Sequence, residues 1–192
     1  MSYNNVGNQD PYNLNYVPSI TFSDGTVQRT AGNFYNGSFE DLTTQVSTGT
    51  TSATLVTFNK TTNSSGITID TPTRSKIIFT NAGVYQFTFT GQYRFSGGAS
   101  GYNVTMWYAK NGANAANSSR TLVLTNSQGS QTLGPFIDQV TVGAGDYIQF
   151  YWWTNVAPSA GPNGIYLYTT PAGTDPIRPA APSVTVNVFN VG

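Results

Sequence analysis

The chain has 192 residues, which suits one domain with an appendage better than two full domains. Only 8% is charged, with eight Lys plus Arg against eight Asp plus Glu; a third is Ser, Thr or Asn, and aromatics reach 14%. There is no His and no Cys, which excludes Ser-His-Asp triads, thiol nucleophiles, redox dithiols, disulfides and zinc sites of the His/Cys type.

Residues 1 to about 45 are rich in Asn, Tyr and Gly and show no helical periodicity. Ser19-Ile20-Thr21-Phe22 is strand-like and leads into Asp24-Gly25, a strong turn signal, with Val27 to Thr30 as the returning strand. A single hairpin is marginal in water, so residues 1–45 read as an extended arm. Its large apolar anchors are Tyr3, Tyr12, Leu14, Tyr16, Val17, Ile20 and Phe22.

From about residue 46 the texture is strand, turn, strand. Thr54 to Phe58 precedes a polar turn over Asn59 to Gly66; Ile67 to Asp70 alternates; Lys76 to Phe79 is a short apolar run. The clearest element is Val84 to Phe95. Tyr85, Phe87, Phe89, Gly91, Tyr93 and Phe95 share one face, and Gln86, Thr88, Thr90, Gln92 and Arg94 share the other. Further strands are expected at residues 103–109, 121–124, 136–142, 147–153, 165–168 and 183–188, each bounded by Gly, Asn, Ser or Pro. Short strands separated by turn residues predict an all-β protein: an antiparallel sandwich over 46–192 behind an N-terminal arm over 1–45.

Candidate chemistry is sparse. The carboxylates are Asp10, Asp24, Glu40, Asp41, Asp70, Asp138, Asp146 and Asp175. Glu occurs once, and Asp24 and Asp146 sit beside Gly in turns, where Asp commonly caps backbone amides. No catalytic, cofactor or metal residue is assigned. Lys and Arg are scattered, which argues against nucleic-acid binding. No apolar run approaches the roughly 18 residues that span a bilayer, so no membrane partner is expected. Tyr147, Phe150, Tyr151, Trp152 and Trp153 form a dense aromatic strand. Alternation puts Tyr151 and Trp153 on one face and Phe150 and Trp152 on the other. At least one face must be core; the other suits a subunit interface or a sugar platform.

Gly83-Val84-Tyr85-Gln86-Phe87 resembles the G-x-Y-x-F strand of the tumour-necrosis-factor and complement-globular-head jelly rolls. Val142-Gly143-Ala144-Gly145-Asp146-Tyr147-Ile148 resembles the L-x-x-G-D-x-V strand entry of that superfamily, and Val184 to Phe189 falls where its last inner strand would lie. The resemblance covers roughly residues 50–192. It implies a jelly roll assembling as a homotrimer, for which Tyr85, Phe87, Tyr147, Phe150, Tyr151, Trp152 and Trp153 are the interface candidates. A second resemblance concerns Ile20 to Gly32, which is similar to the I-x-F-x-D-G-T-x-Q-x-T-A segment of structural proteins of tailed bacteriophages, notably those of cyanobacteria. Arg29 replaces the usual small polar residue there.

Together these imply a non-enzymatic virion protein on the capsid surface: a trimeric decoration or cement protein whose arm grips the major capsid protein. The alternative is a tail-fibre or receptor-binding tip that reads host glycan. A polysaccharide-degrading enzyme is disfavoured by the single Glu and the absence of His.

Overall fold

The structure is a computed structural model; it describes residues 20–21, 23–25, 27–28, 34–96, 102–124, 129–132, 135–156 and 164–192. The chain divides into two units, Met1–Asn33 and Phe34–Gly192. In the first, β1 (Ile20–Thr21) and β2 (Val27–Gln28) form the expected hairpin, with Ile20 opposite Gln28 and Thr21 opposite Val27. Gly25, at φ +84°, supplies the left-handed residue this turn needs. Of the predicted arm anchors, Tyr3, Tyr12, Leu14, Tyr16, Val17 and Phe22 lie outside the described residues, and Ile20 is described by its backbone alone.

The second unit begins at Phe34, about a dozen residues before the predicted boundary. It contains β3 (Asn36–Asp41), β4 (Gln45–Val46), β5 (Thr54–Leu55), β6 (Lys60–Ser65), β7 (Ile67–Ile69), β8 (Ile77–Phe79) and β9 (Gly83–Ser96). These are followed by β10 (Tyr102–Lys110), β11 (Ala113–Asn114), β12 (Arg120–Leu124), β13 (Gly129–Thr132), β14 (Phe136–Val142) and β15 (Tyr147–Thr154). Last come β16 (Gly164–Leu167), β17 (Gly173–Thr174), β18 (Ile177–Arg178) and β19 (Val184–Asn190). No helix occurs among the described residues.

Two antiparallel sheets pair into a jelly-roll sandwich. One has eight strands in the order β4-β16-β9-β19-β3-β6, with β13 and β14 also on β9. The other has seven, ordered β11-β10-β15-β8-β7, with β12 on β10 and β5 on β15. The chain crosses repeatedly between them: β8 to β9 to β10, then β14 to β15 to β16. The strand order itself establishes the fold class.

β9 is the spine. Its first half pairs with β14 and β19, and its second half with β13 and β16. Gly91 marks the exchange. A Cβ there would lie 3.0 Å from the Leu167 side chain and 3.1 Å from the Phe89 and Tyr93 rings. The inward face of β9 puts Tyr85, Phe87, Phe89 and Tyr93 at full burial. Phe87 is met edge-on by Tyr108, Phe136 and Phe150, at ring separations of 5.0, 5.7 and 5.2 Å. Edge-to-face contacts of this kind add to the hydrophobic burial of each ring.

Two predicted features differ. Residues 36–41 belong to the sandwich, because Gly37, Phe39 and Asp41 point inward and the backbone pairs with β19 and β6. Asn59 to Gly66 is mostly strand, not turn: β6 is an edge strand with every residue exposed, so it has no buried face for alternation to reveal.

Candidate functional site

Four of the seven predicted interface residues are core. Tyr85, Phe87, Phe150 and Trp152 are completely buried within a single chain and cannot line an axis between copies. The reason is register. Along β15, Ile148, Phe150, Trp152 and Thr154 point between the sheets, while Gln149 on the opposite face is also buried and donates to the Ser75 hydroxyl.

Tyr147, Tyr151 and Trp153 point outward from the seven-stranded sheet and are half-buried. Pairing brings a residue the sequence reading missed: Trp107 on β10 lies directly opposite Tyr151. Their rings are parallel to within 11° at 5.8 Å. Leu55 of β5 flanks Tyr151 on its other side, and Thr105 lies opposite Trp153. Both indoles are fixed by their N–H groups: Trp107 Nε1 donates to Asn114 Oδ1 at 2.9 Å, and Trp153 Nε1 donates to the Thr50 carbonyl at 2.7 Å. Beside them Thr105 and Thr121 hydroxyls meet at 3.0 Å. Burial, and secondarily the neighbouring Tyr147, push the Tyr151 phenol up. At the margin the Lys76 ammonium stands 4.6 Å from the centre of the Tyr147 ring. The result is a rigid aromatic patch with no charge at its centre.

The outward face of the eight-stranded sheet has a different chemistry. Cross-strand rows read Gln139, Gln86, Phe189, Asn36 and Ser65, then Ile137, Thr88, Asn187, Ser38 and Asn63. At one end Glu40 and Lys60 form an ion pair of 3.0 Å. At the other, Arg94 of β9 and Tyr166 of β16 are register partners. With Thr44 and Tyr168 they line an open cleft of about 240 Å³.

Asp41, Asp70, Asp138 and Asp146 bind groups of their own fold. Asp41, buried, accepts from the Thr43 amide and hydroxyl, the Thr57 hydroxyl and the Asn59 amide. Asp70 caps the turn before β8. Its partial burial raises its pKa, but donors from the Thr73 hydroxyl and the Lys76, Thr73 and Ser75 amides outweigh this and hold it low. Asp146 accepts from Asn111 Nδ2 at 2.8 Å and the Gly143 amide at 2.7 Å, and pairs with Lys110 at 2.9 Å. The Asn111 bond first, then the Gly143 amide and Lys110, bring its pKa down to about 2. Asp138 accepts from the Gln139 amide. No cluster of three or more Asp or Glu that could hold a metal occurs among the described residues.

No protein-family model matches the chain, and no curated protein does. Among solved structures it is similar to murine APRIL at pH 5.0, with a TM-score of 0.47 and 9% identity over 83% of this chain and 100% of that one. Murine APRIL at pH 8.0 gives 0.44 and 10% over the same shares.

Proposed function

We propose that the chain is a non-enzymatic structural subunit of a tailed-bacteriophage virion, most specifically a trimeric capsid decoration protein. The observation that carries the reading is the Ile20 to Gly32 segment, whose Asp24-Gly25 turn closes a real hairpin. In this reading residues 1–33 bind the shell, and the sandwich projects from it. Copies associate through the outward face that holds Trp107, Tyr151 and Trp153. Aromatic side chains whose rotamers are already fixed lose little entropy on docking. A trimer multiplies weak shell contacts into high avidity, and contacts made by neutral side chains hold across ionic strength.

Two measurements test it. Light scattering of the isolated protein should give about three times the 20.6 kDa chain mass; a monomer at micromolar concentration removes the trimer. Copy number per purified virion should run to hundreds. A few to a few dozen copies would move the protein to the tail.

A further inference from the structure

An Asn followed by Gly is open to attack by the next backbone nitrogen, because Gly has no Cβ to shield that nitrogen. The sequence has three such pairs: Asn36-Gly37, Asn111-Gly112 and Asn163-Gly164. Asn163 lies outside the described residues. Asn36 and Gly37 stand inside β3, with β19 on one side and β6 on the other, so the ladder holds their backbone. Asn111-Gly112 is different. It is the two-residue loop between β10 and β11, where Lys110 lies opposite Ala113. Both residues are exposed, with φ of +50° and +81°, the signs a type I′ turn requires.

The Asn111 side chain is nevertheless held at both ends. Its Nδ2 donates to Asp146 Oδ1 at 2.8 Å, and its Oδ1 accepts from the Tyr147 amide at 3.0 Å. The second Asp146 oxygen takes the Gly143 amide at 2.7 Å and the Lys110 ammonium at 2.9 Å. We propose that Asn111 is a site of spontaneous modification, deamidation through a cyclic imide, and that Asp146 is the latch that restrains it. A base in solvent takes the Gly112 N–H proton, and the Gly112 nitrogen bonds to Asn111 Cγ. The Cγ–Nδ2 bond breaks and Nδ2 departs as ammonia, its added proton coming from water. Water then opens the ring at either carbonyl, leaving Asp or isoaspartate. The balance is one water gained and one ammonia lost, with no oxidant or reductant. Closing the ring turns Cγ onto the Gly112 nitrogen, which takes Nδ2 off Asp146 and Oδ1 off Tyr147. The product cannot restore the latch. Asp at this position sets a second carboxylate against Asp146 where a donor stood, and repulsion replaces a bond. Isoaspartate lengthens the main chain by one carbon, which the two-residue loop does not accommodate. Modification therefore frees the β10–β11 turn from the corner between β14 and β15.

The test is peptide mapping by mass spectrometry after incubating the full chain at one fixed, mildly alkaline pH. Asn111 should convert at least about tenfold more slowly in native protein than in the urea-unfolded chain, as bonds to a charged partner imply. Asp146→Ala should raise the native Asn111 rate about tenfold or more, while Asn36 keeps its parent rate. Asp146→Asn should fall between the two, since its Oδ1 still accepts from Nδ2 without the charge. Asn111→Asp, which stands in for the product, should unfold at lower urea than the parent, and pairing it with Asp146→Asn should recover part of that loss. Equal Asn111 rates in native and unfolded parent overturn the proposal, as does an Asp146→Ala rate no higher than the parent's. Equal acceleration of Asn36 and Asn111 in Asp146→Ala also overturns it, since that is opening of the whole sandwich. These measurements use the isolated chain, so none of them bears on the virion reading.

Discussion

The two outward faces of the sandwich share one architecture and differ in chemistry. The seven-stranded sheet presents fixed rings, Trp107 against Tyr151 with Trp153 beside them. The eight-stranded sheet presents rows of Gln, Thr, Asn and Ser, with Arg94 set over the Tyr168 ring at one end. Side-chain alternation lets one strand serve core and surface independently, so what lies outside is free to vary while the inside is held by packing. Exposed chemistry, rather than aromatic content as such, separates the candidate surfaces: two of the five rings of β15 are wholly buried and unavailable to any partner.

The largest expected effect tests that split on adjacent residues. Trp152→Ala should cost about 3–5 kcal/mol in urea unfolding, as truncation of a wholly buried aromatic does, whereas Trp153→Ala, half-exposed, should cost less than about 1 kcal/mol. Similar losses for the two would mean that β15 does not divide its rings as described. Next, Asp41→Ala removes the shared acceptor of Thr43, Thr57 and Asn59, and should cost about 1.5–3 kcal/mol. Third, the double change Trp107→Ala and Trp153→Ala should weaken self-association about tenfold or more, as loss of an aromatic hot spot does, with little change in secondary structure. Unchanged association would shift the contact to the neutral face.

A further change has the opposite sign. Tyr93 and Trp152 pack at 6.0 Å, and the Tyr93 hydroxyl is buried with no partner among the described residues. Burial pushes that phenol well above its usual pKa. Tyr93→Phe should therefore be neutral or stabilising by up to about 1–3 kcal/mol, since it deletes an unmet donor; marked destabilisation would reveal a partner. The smallest effect is in pH. The folded-state pKa of Asp146 is depressed to about 2 from an ordinary 3.8. Its contribution is thus complete above about pH 4 and is lost as pH falls towards 2. In Asp146→Asn the melting temperature should fall less over that window than in the parent protein; equal slopes would assign the acid sensitivity elsewhere, with Asp70 shifted in the same direction.

Legibility in the sequence followed burial contrast. Strand β9 could be read because twelve residues alternate between rings and polar side chains. Strand β14 and the turn at Asp146 were equally visible, since the turn chemistry is local. Strand β3 was hidden because its inward residues are Gly37, Phe39 and Asp41, only one of them large and apolar. Strand β6 was hidden because polar residues occupy both its faces. Within β15 the sequence showed that two faces exist, while which one is core depends on the facing sheet, a fact of tertiary packing. Trp107 escaped notice for the same reason: only the register of β10 against β15 places it beside Tyr151. Arg94 lies on the polar face of β9, as its alternation predicts, while its approach to the Tyr168 ring depends on the pairing of β9 with β16.

The pairing of β19 between β9 and β3 has a kinetic consequence. Residues 36–41 and 184–190 are neighbours in the sheet yet separated by most of the chain, so this closure requires a very long loop and belongs to the slow regime of folding. During synthesis neither β3 nor the first half of β9 can gain its shared partner until the ribosome has passed Asn190. Until then both present unpaired edges, the form in which nascent β-proteins associate wrongly. Yield of folded protein should therefore depend more on synthesis temperature and chain concentration than the native stability alone would suggest.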